Sequence, residues 1–352
     1  MRKKAGLIVL ALLLAISVAA VAETTPNTLE TSIEVMETYE ANPVIEGESP
    51  LTGLPLTEAY TPLMIVLDNA EDAYPHWGVD DASVFFQVPN AGGGATKILA
   101  LYGDAYPENA GGIRSARITM LPIANAFNAA IASGGYPNLS GSRIDMNSYM
   151  KKWNFAKGTK YFNLLGNSYK ARETFVSSPH NLTGKVREIH DYLVESGVEF
   201  EKRPFKFTDE PLARGENAGK IKITHYVFKD QGRINNASYA EYEYEEGKGY
   251  SRTTATGLNK DRFTENPLYF SNLIVLRVEI GYQDSYPYLK ANFTGKGAAD
   301  IFQNGKYIQG AWVRSADDSR LVITDETGKE LDFQRGKTFF VITNEITDVD
   351  YE

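Results

Sequence analysis

The sequence contains no cysteine, which excludes disulfides, thiolate metal sites, a thiol nucleophile and a lipid carried on cysteine. It has only four histidines, His76, His180, His190 and His225, and their spacing matches no metal-ligand pattern, so no histidine metal site is expected. Positive charge is also scarce. Thirty-six Lys plus Arg against 45 Asp plus Glu give a net charge of −9, so there is no chain-wide basic field of the kind that nucleic acid or an anionic membrane surface requires. Gly-x-Ser-x-Gly, His-Glu-x-x-His, Walker A and dinucleotide fingerprints are absent, and no cofactor is expected. Gly92-Gly93-Gly94-Ala95-Thr96-Lys97 lacks the glycine before lysine that a phosphate loop needs and reads as a loop between strands.

One long apolar run does occur. Ala5 to Val21 follows the basic Met1–Lys4 stretch and ends at Ala20-Val21-Ala22, a small-x-small cleavage pattern. Residues 1–22 therefore read as a secretory signal peptide, or as a membrane anchor if uncut, and the rest of the chain is expected to be extracytoplasmic. Cleavage leaves 33 basic against 45 acidic residues. With export and no disulfides, stability must come from a sizeable core, which suits a bacterial envelope. Residues 23–49 are acidic, rich in Thr, Glu and Pro, and lack apolar periodicity, so a disordered tether is expected there.

The remainder divides in two. Short apolar runs at Leu63–Leu67, Val84–Val88 and Ile98–Tyr102 read as buried strands, as does Ala129–Ala132. Helical spacing covers Ser115–Phe127, Asp145–Trp153 and Thr183–Glu195, the last with Gly197 as its stop. This interleaving predicts a mixed α/β domain over 50–214, a sheet covered by helices. After a linker at 215–219, β-branched runs predict a smaller, mainly antiparallel β domain over 220–352, giving an α+β chain. Its expected strands include Leu273–Ile280, Ala298–Phe302, Tyr307–Arg314 and Thr338–Thr343, with a hairpin turn at Gln303-Asn304-Gly305-Lys306.

Candidate chemistry gathers in the first domain. Gly111-Gly112-Ile113-Arg114-Ser115-Ala116-Arg117 places two arginines three apart at an expected helix start, which suits an anion site if both face one cleft and salt bridges if they do not. Asp68-Asn69 closes the first strand, where a carboxylate either lines a ligand crevice or ends the strand as an Asx turn. His180-Asn181 lies in a loop before the clearest helix, where it either presents an imidazole to a cleft or caps that helix. The ligand-binding candidates are thus Asp68, Asn69, Arg114, Arg117, His180 and Asn181, with Asp68 and His180 as candidate catalytic bases.

These segments resemble the YerB-like family of bacterial envelope proteins, a domain of unknown function with N- and C-terminal parts. The carriers are Pro50-Leu51-Thr52-Gly53-Leu54-Pro55, Asp68-Asn69, Thr96 with Ile98–Tyr102, Gly112–Arg117, Ser133-Gly134-Gly135, Pro179-His180-Asn181-Leu182, Asn304-Gly305-Lys306 and Gly310-Ala311-Trp312. The resemblance implies a two-domain exported protein, usually lipid-anchored, with no established activity. This chain departs from the pattern in having no lipobox cysteine, in Gln87 where a Glu is usual, around Asn90-Ala91 where an acidic residue is usual before the paired glycines, and in Lys97 where an Arg is usual. Losing two carboxylates removes general acid/base groups. The leading expectation is a protein that binds an anionic envelope ligand, such as a phosphorylated glycan or lipid-linked sugar. The alternatives are a hydrolase or transferase on envelope material, and a module that docks an envelope protein through an edge strand.

Overall fold

A computed structural model describes residues 31–91, 95–137, 146–225, 239–282 and 288–352. The expected signal peptide and Gly92–Gly94 lie outside these. The strands that matter here are β1 (Leu63–Asp68), β2 (Val84–Ala91), β3 (Ala95–Tyr102), β4 (Ala130–Ser133), β5 (Tyr161–Asn163), β6 (Lys170–Arg172) and β7 (Leu182–Gly184). They continue with β8 (Glu216–Asn217), β9 (Lys220–Thr224), β10 (Tyr239–Glu245), β11 (Gly249–Thr254), β12 (Asn272–Arg277), β13 (Gly295–Gln303), β14 (Lys306–Arg314), β15 (Val322–Thr324), β16 (Thr338–Thr343) and β17 (Asp348–Tyr351). Three helices are present among the described residues: α1 (Met120–Ala126), α2 (Met146–Lys152) and α3 (Val186–Glu195).

The protein is mostly β. Its main sheet is mixed and eleven-stranded, in the order β8-β14-β13-β12-β16-β2-β3-β1-β4-β5, with β15 on β14. The sequence expectation placed a break at 215–219, but the sheet runs through it: β8 occupies Glu216–Asn217, and β16 from near the C-terminus pairs in parallel with both β12 and β2. The second unit is accordingly not purely antiparallel. The reason lies in β16, Thr-Phe-Phe-Val-Ile-Thr, which is buried at every position and needs a neighbour on each side and cover on both faces. Phe340 stacks on Phe86 of β2 with centroids 4.7 Å apart.

Alternation along the central strands sends two sets of side chains to opposite faces. Met64, Val66, Phe86, Leu99 and Phe340 pack with Leu121 and Ile123 of α1 on one face. Leu63, Ile65, Phe85, Ile98 and Val341 pack on the other with Ile189 and Leu193 of α3 and with Ile221, Ile223 and Tyr242. The last three belong to a second, six-stranded sheet whose four longest strands run β11-β10-β9-β17. The main sheet is thus covered by short helices on one face and largely by another sheet on the other, rather than by helices alone.

Several expected elements shorten. The helix read from Ser115 begins only at Met120, and the strand read through Ile280 ends at Arg277. The turn at Asn304-Gly305 is as expected, with φ of 51° and 69° joining β13 to β14. The tether expectation over 23–49 fails for its described part. Tyr39 Oη donates to the Gly328 carbonyl at 2.9 Å, Asn42 donates to Pro204 O and Glu330 Oε1 at 3.1 and 2.7 Å, and Glu48 pairs with Arg335 at 2.8 Å. Individual polar contacts, not a buried apolar face, hold this segment to the body, so hydropathy carries no sign of it.

Because β2 depends on β16 for its outer neighbour, a chain ending at Arg214 exposes the unpaired edge of a strand whose Val84, Phe85 and Phe86 are core residues. Such a chain is expected to be insoluble or to lack dispersed NMR resonances. A well-dispersed spectrum would show that the first half folds without β16.

Candidate functional site

β1 is a fully buried run that ends in a carboxylate: Leu-Met-Ile-Val-Leu-Asp, with Asp68 only 6% exposed. A charge at that depth requires partners, and three converge on it from separate parts of the chain. Lys97, opposite Asp68 in the β1–β3 register, brings Nζ to 3.7 Å from Oδ1. Arg114 Nε donates to Oδ2 at 2.5 Å. His180 Nδ1 lies 2.9 Å from the same oxygen. Three sequence candidates, Asp68, Arg114 and His180, therefore meet, joined by Lys97.

The Gly112–Arg117 segment reaches this point as an extended strap rather than a helix start. Asp68 N–H donates to Gly112 O and Arg114 N–H to Val66 O, both at 2.9 Å, and Ile113 N–H donates to Leu182 O at 2.7 Å. These backbone groups are already paired, so no free helix N–H groups join the guanidiniums, and Arg114 makes the salt bridge that was the alternative reading. The paired glycines let the strap approach its neighbours. A Cβ on Gly112 would lie 2.0 Å from the His180 carbonyl oxygen, and one on Gly111 would lie 2.2 Å from the Trp77 ring. His180 is held by a hairpin loop between β6 and β7, and it does not cap α3, whose N-cap residue is Lys185 and has no side-chain cap bond.

The other candidates face elsewhere. Asn181 closes its own hairpin, donating to Glu173 O at 3.0 Å and accepting from Arg172 Nη1 at 2.8 Å. Arg117 is buried, with its guanidinium 4.2 Å from the Tyr288 ring centroid and Nη1 donating to Ser115 O and Ala116 O. Asn69, one residue beyond Asp68, belongs to a closed ring of hydrogen bonds. It donates to Thr96 Oγ1 at 2.6 Å and accepts from Tyr74 Oη. Gln87 Nε2 donates to the same Thr96 oxygen at 3.2 Å. Arg252 Nη2 donates to Gln87 Oε1 at 3.0 Å and its Nη1 donates to Tyr74 at 3.3 Å. Arg252, on β11, is 1% exposed, and the partners that hold it are neutral.

Electrostatics separates these groups. Burial raises the Asp68 pKa, but Lys97, Arg114 and His180 outweigh it and hold the carboxyl below the ordinary value, so it stays ionised. Lys97 is 5% exposed, and burial pushes its pKa down to about 8; Asp68 opposes that fall, while Arg117 and Arg114 add to it. His76 is pushed down to about 4 by burial despite its contact with Asp68, so it is neutral at pH 7 and donates Nε2–H to the Asp68 carbonyl at 2.6 Å. Lys97 felt by one carboxylate and two guanidiniums is the arrangement sequence reading did not anticipate. Its only signal was the position of Thr96-Lys97 at the start of a strand that could pair with β1. Nothing local marks Arg252, which the fold brings in from the second sheet.

Family models for the "Protein of unknown function (DUF3048)" match this chain as an N-terminal domain over residues 51–199 and a C-terminal domain over 231–340. A Bacillus subtilis relative named "Putative lipoprotein YerB" is 26% identical over 310 residues, covering 85% of this chain and 87% of the relative. The crystal structure of Bacillus subtilis YerB matches with a TM-score of 0.71 at 22% identity, covering 86% of this chain and 99% of that one, and so shares the fold.

Gly112→Ala is expected to displace either the strap or the His180 loop and to lower stability by about 2–4 kcal/mol, because the clash is with backbone and cannot be relieved by a side-chain rotation. Denaturant unfolding measures it. A change under about 0.5 kcal/mol would mean that the close approach is not needed.

Proposed function

We propose that this chain, which belongs to the DUF3048 family, binds an anionic ligand at the Asp68 cluster, with Lys97 and Arg114 as the gripping cations and His180 beside them. One observation carries the reading: Lys97 and Arg114 both lie against a single carboxylate, that of Asp68, leaving positive charge in surplus on an acidic protein. The Nη groups of Arg114 have no partner among the described residues, and its side chain is 30% exposed, so two donors remain for an oxyanion while Nε stays fixed on Asp68. A phosphate group matches that donor set. The lipoprotein name of the Bacillus subtilis relative supports an envelope setting and hence envelope polymers as the source of the phosphate.

The pairing of His180 with Asp68 favours a second reading, hydrolysis or group transfer. A carboxylate on Nδ1 orients the ring and leaves Nε2 to act as a base toward a bound ligand. Under that reading His180→Gln abolishes turnover of a phosphorylated substrate while binding persists. Under the binding reading there is no turnover to lose.

Calorimetric titration with pyrophosphate is expected to show binding at pH 7 that weakens at least tenfold in Arg114→Ala. Affinity should also fall as pH rises through about 8, by up to tenfold per unit, because Lys97 loses its proton there. Affinity that is unchanged in the variant and flat from pH 7 to 9 would remove the anion reading.

A further inference from the structure

Two phenyl rings stand in solvent beside this cluster. Phe175 is 43% exposed and Phe263 is 56% exposed, their centroids lie 5.9 Å apart, and the ring planes meet at 82°, which makes an open corner. They come from distant parts of the chain. Phe175 sits on the hairpin loop that carries His180, and Phe263 follows buried Asp261 in the second half of the chain. Trp77 links the corner to the cluster: its ring meets Phe175 edge-on at 5.1 Å and flanks Gly112, the glycine against which the His180 carbonyl packs.

The Phe175 ring packs against fixed groups, and the Phe263 backbone is anchored. The Arg262 guanidinium lies 5.0 Å from the Phe175 centroid and is itself pinned by Nε to Pro75 O at 3.0 Å and Nη2 to Tyr74 O at 3.1 Å. Phe263 N–H donates to Asp261 Oδ1 at 2.7 Å. Leaving large apolar faces in water is unfavourable, and adjacent exposed faces of this kind mark contact sites. Polar groups flank the same corner. Asp80 Oδ2 accepts from Thr264 Oγ1 at 3.1 Å and Asn266 Nδ2 at 2.7 Å, while its Oδ1 and the Nη1 of Arg262 have no partner among the described residues. Exposed aromatic faces with one carboxylate acceptor and one guanidinium donor beside them suit a saccharide, whose C–H face covers a ring while its hydroxyls bond the polar groups.

We infer that Phe175 and Phe263 form a saccharide subsite continuous with the anion site, so that the ligand class is a phosphorylated glycan rather than a bare anion. This rests on the anion reading above and extends it. The test titrates the full chain with inorganic phosphate and with N-acetylglucosamine 1-phosphate. The sugar phosphate should bind the native protein at least tenfold more tightly than phosphate. Phe175→Ala with Phe263→Ala should bring the two affinities within about twofold, leaving that for phosphate unchanged. Phe175→Leu, which keeps apolar bulk without a ring, should give an intermediate loss and guards against misfolding of the double variant. Equal affinities in the native protein, or a sugar phosphate affinity that the substitutions do not change, would overturn the subsite and leave the anion reading standing. Failure of both probes to bind would overturn both.

Discussion

The local structure depends on one buried carboxylate. Asp68 ends an apolar strand at a depth where an unpaired charge would be strongly destabilising, and its partners come from β3, from the Gly112–Arg117 strap and from the β6–β7 loop. Each of these segments owes part of its position to that charge. The backbone at Asp68 adds two more ties, its N–H to Gly112 O and its carbonyl to His76. Neutralising Asp68 would leave buried Lys97 facing the half-buried Arg114 with no counter-charge between them, so the carboxylate organises the site.

The two faces of the strand ends solve the same problem differently. Toward the helices, ionic groups are present and cations are in excess. Toward the second sheet, Asn69, Thr96, Gln87, Tyr74 and Arg252 bond in a ring in which only Arg252 is charged. The amide of Gln87 satisfies the guanidinium without cancelling its charge. Buried polar networks of this kind fix geometry when every member is bonded, and here the network also ties β11 to the ends of β2 and β3. The halves of the chain therefore meet at the site as well as along β16.

Much of this was legible in the residues. β1, β2, β3 and β16 announce themselves as short apolar runs, and Asp68, Arg114 and His180 are polar residues placed where strands and loops end. What could not be read was long-range. Thr338–Thr343 looks like a strand of a second unit, and only its need for two neighbours, invisible to local patterning, inserts it between β12 and β2. Arg114 reads as a helix start because glycines precede it, whereas backbone pairing with Val66 pulls it out straight. Asn181 resembles a ligand residue by its neighbour His180, yet its amide is used within its hairpin. Residues 31–49 adhere through scattered hydrogen bonds, which leave no periodic trace.

The central claim is that surplus positive charge around Asp68 awaits an anion, and Lys97 reports on it directly. Heteronuclear NMR titration of the lysine side chains should find one, assigned through Lys97→Arg, titrating near pH 8 in the free protein and moving upward by a unit or more with saturating pyrophosphate, since a bound anion favours the protonated amine. A Lys97 that titrates like a surface lysine, or whose titration pyrophosphate does not move, would contradict the account.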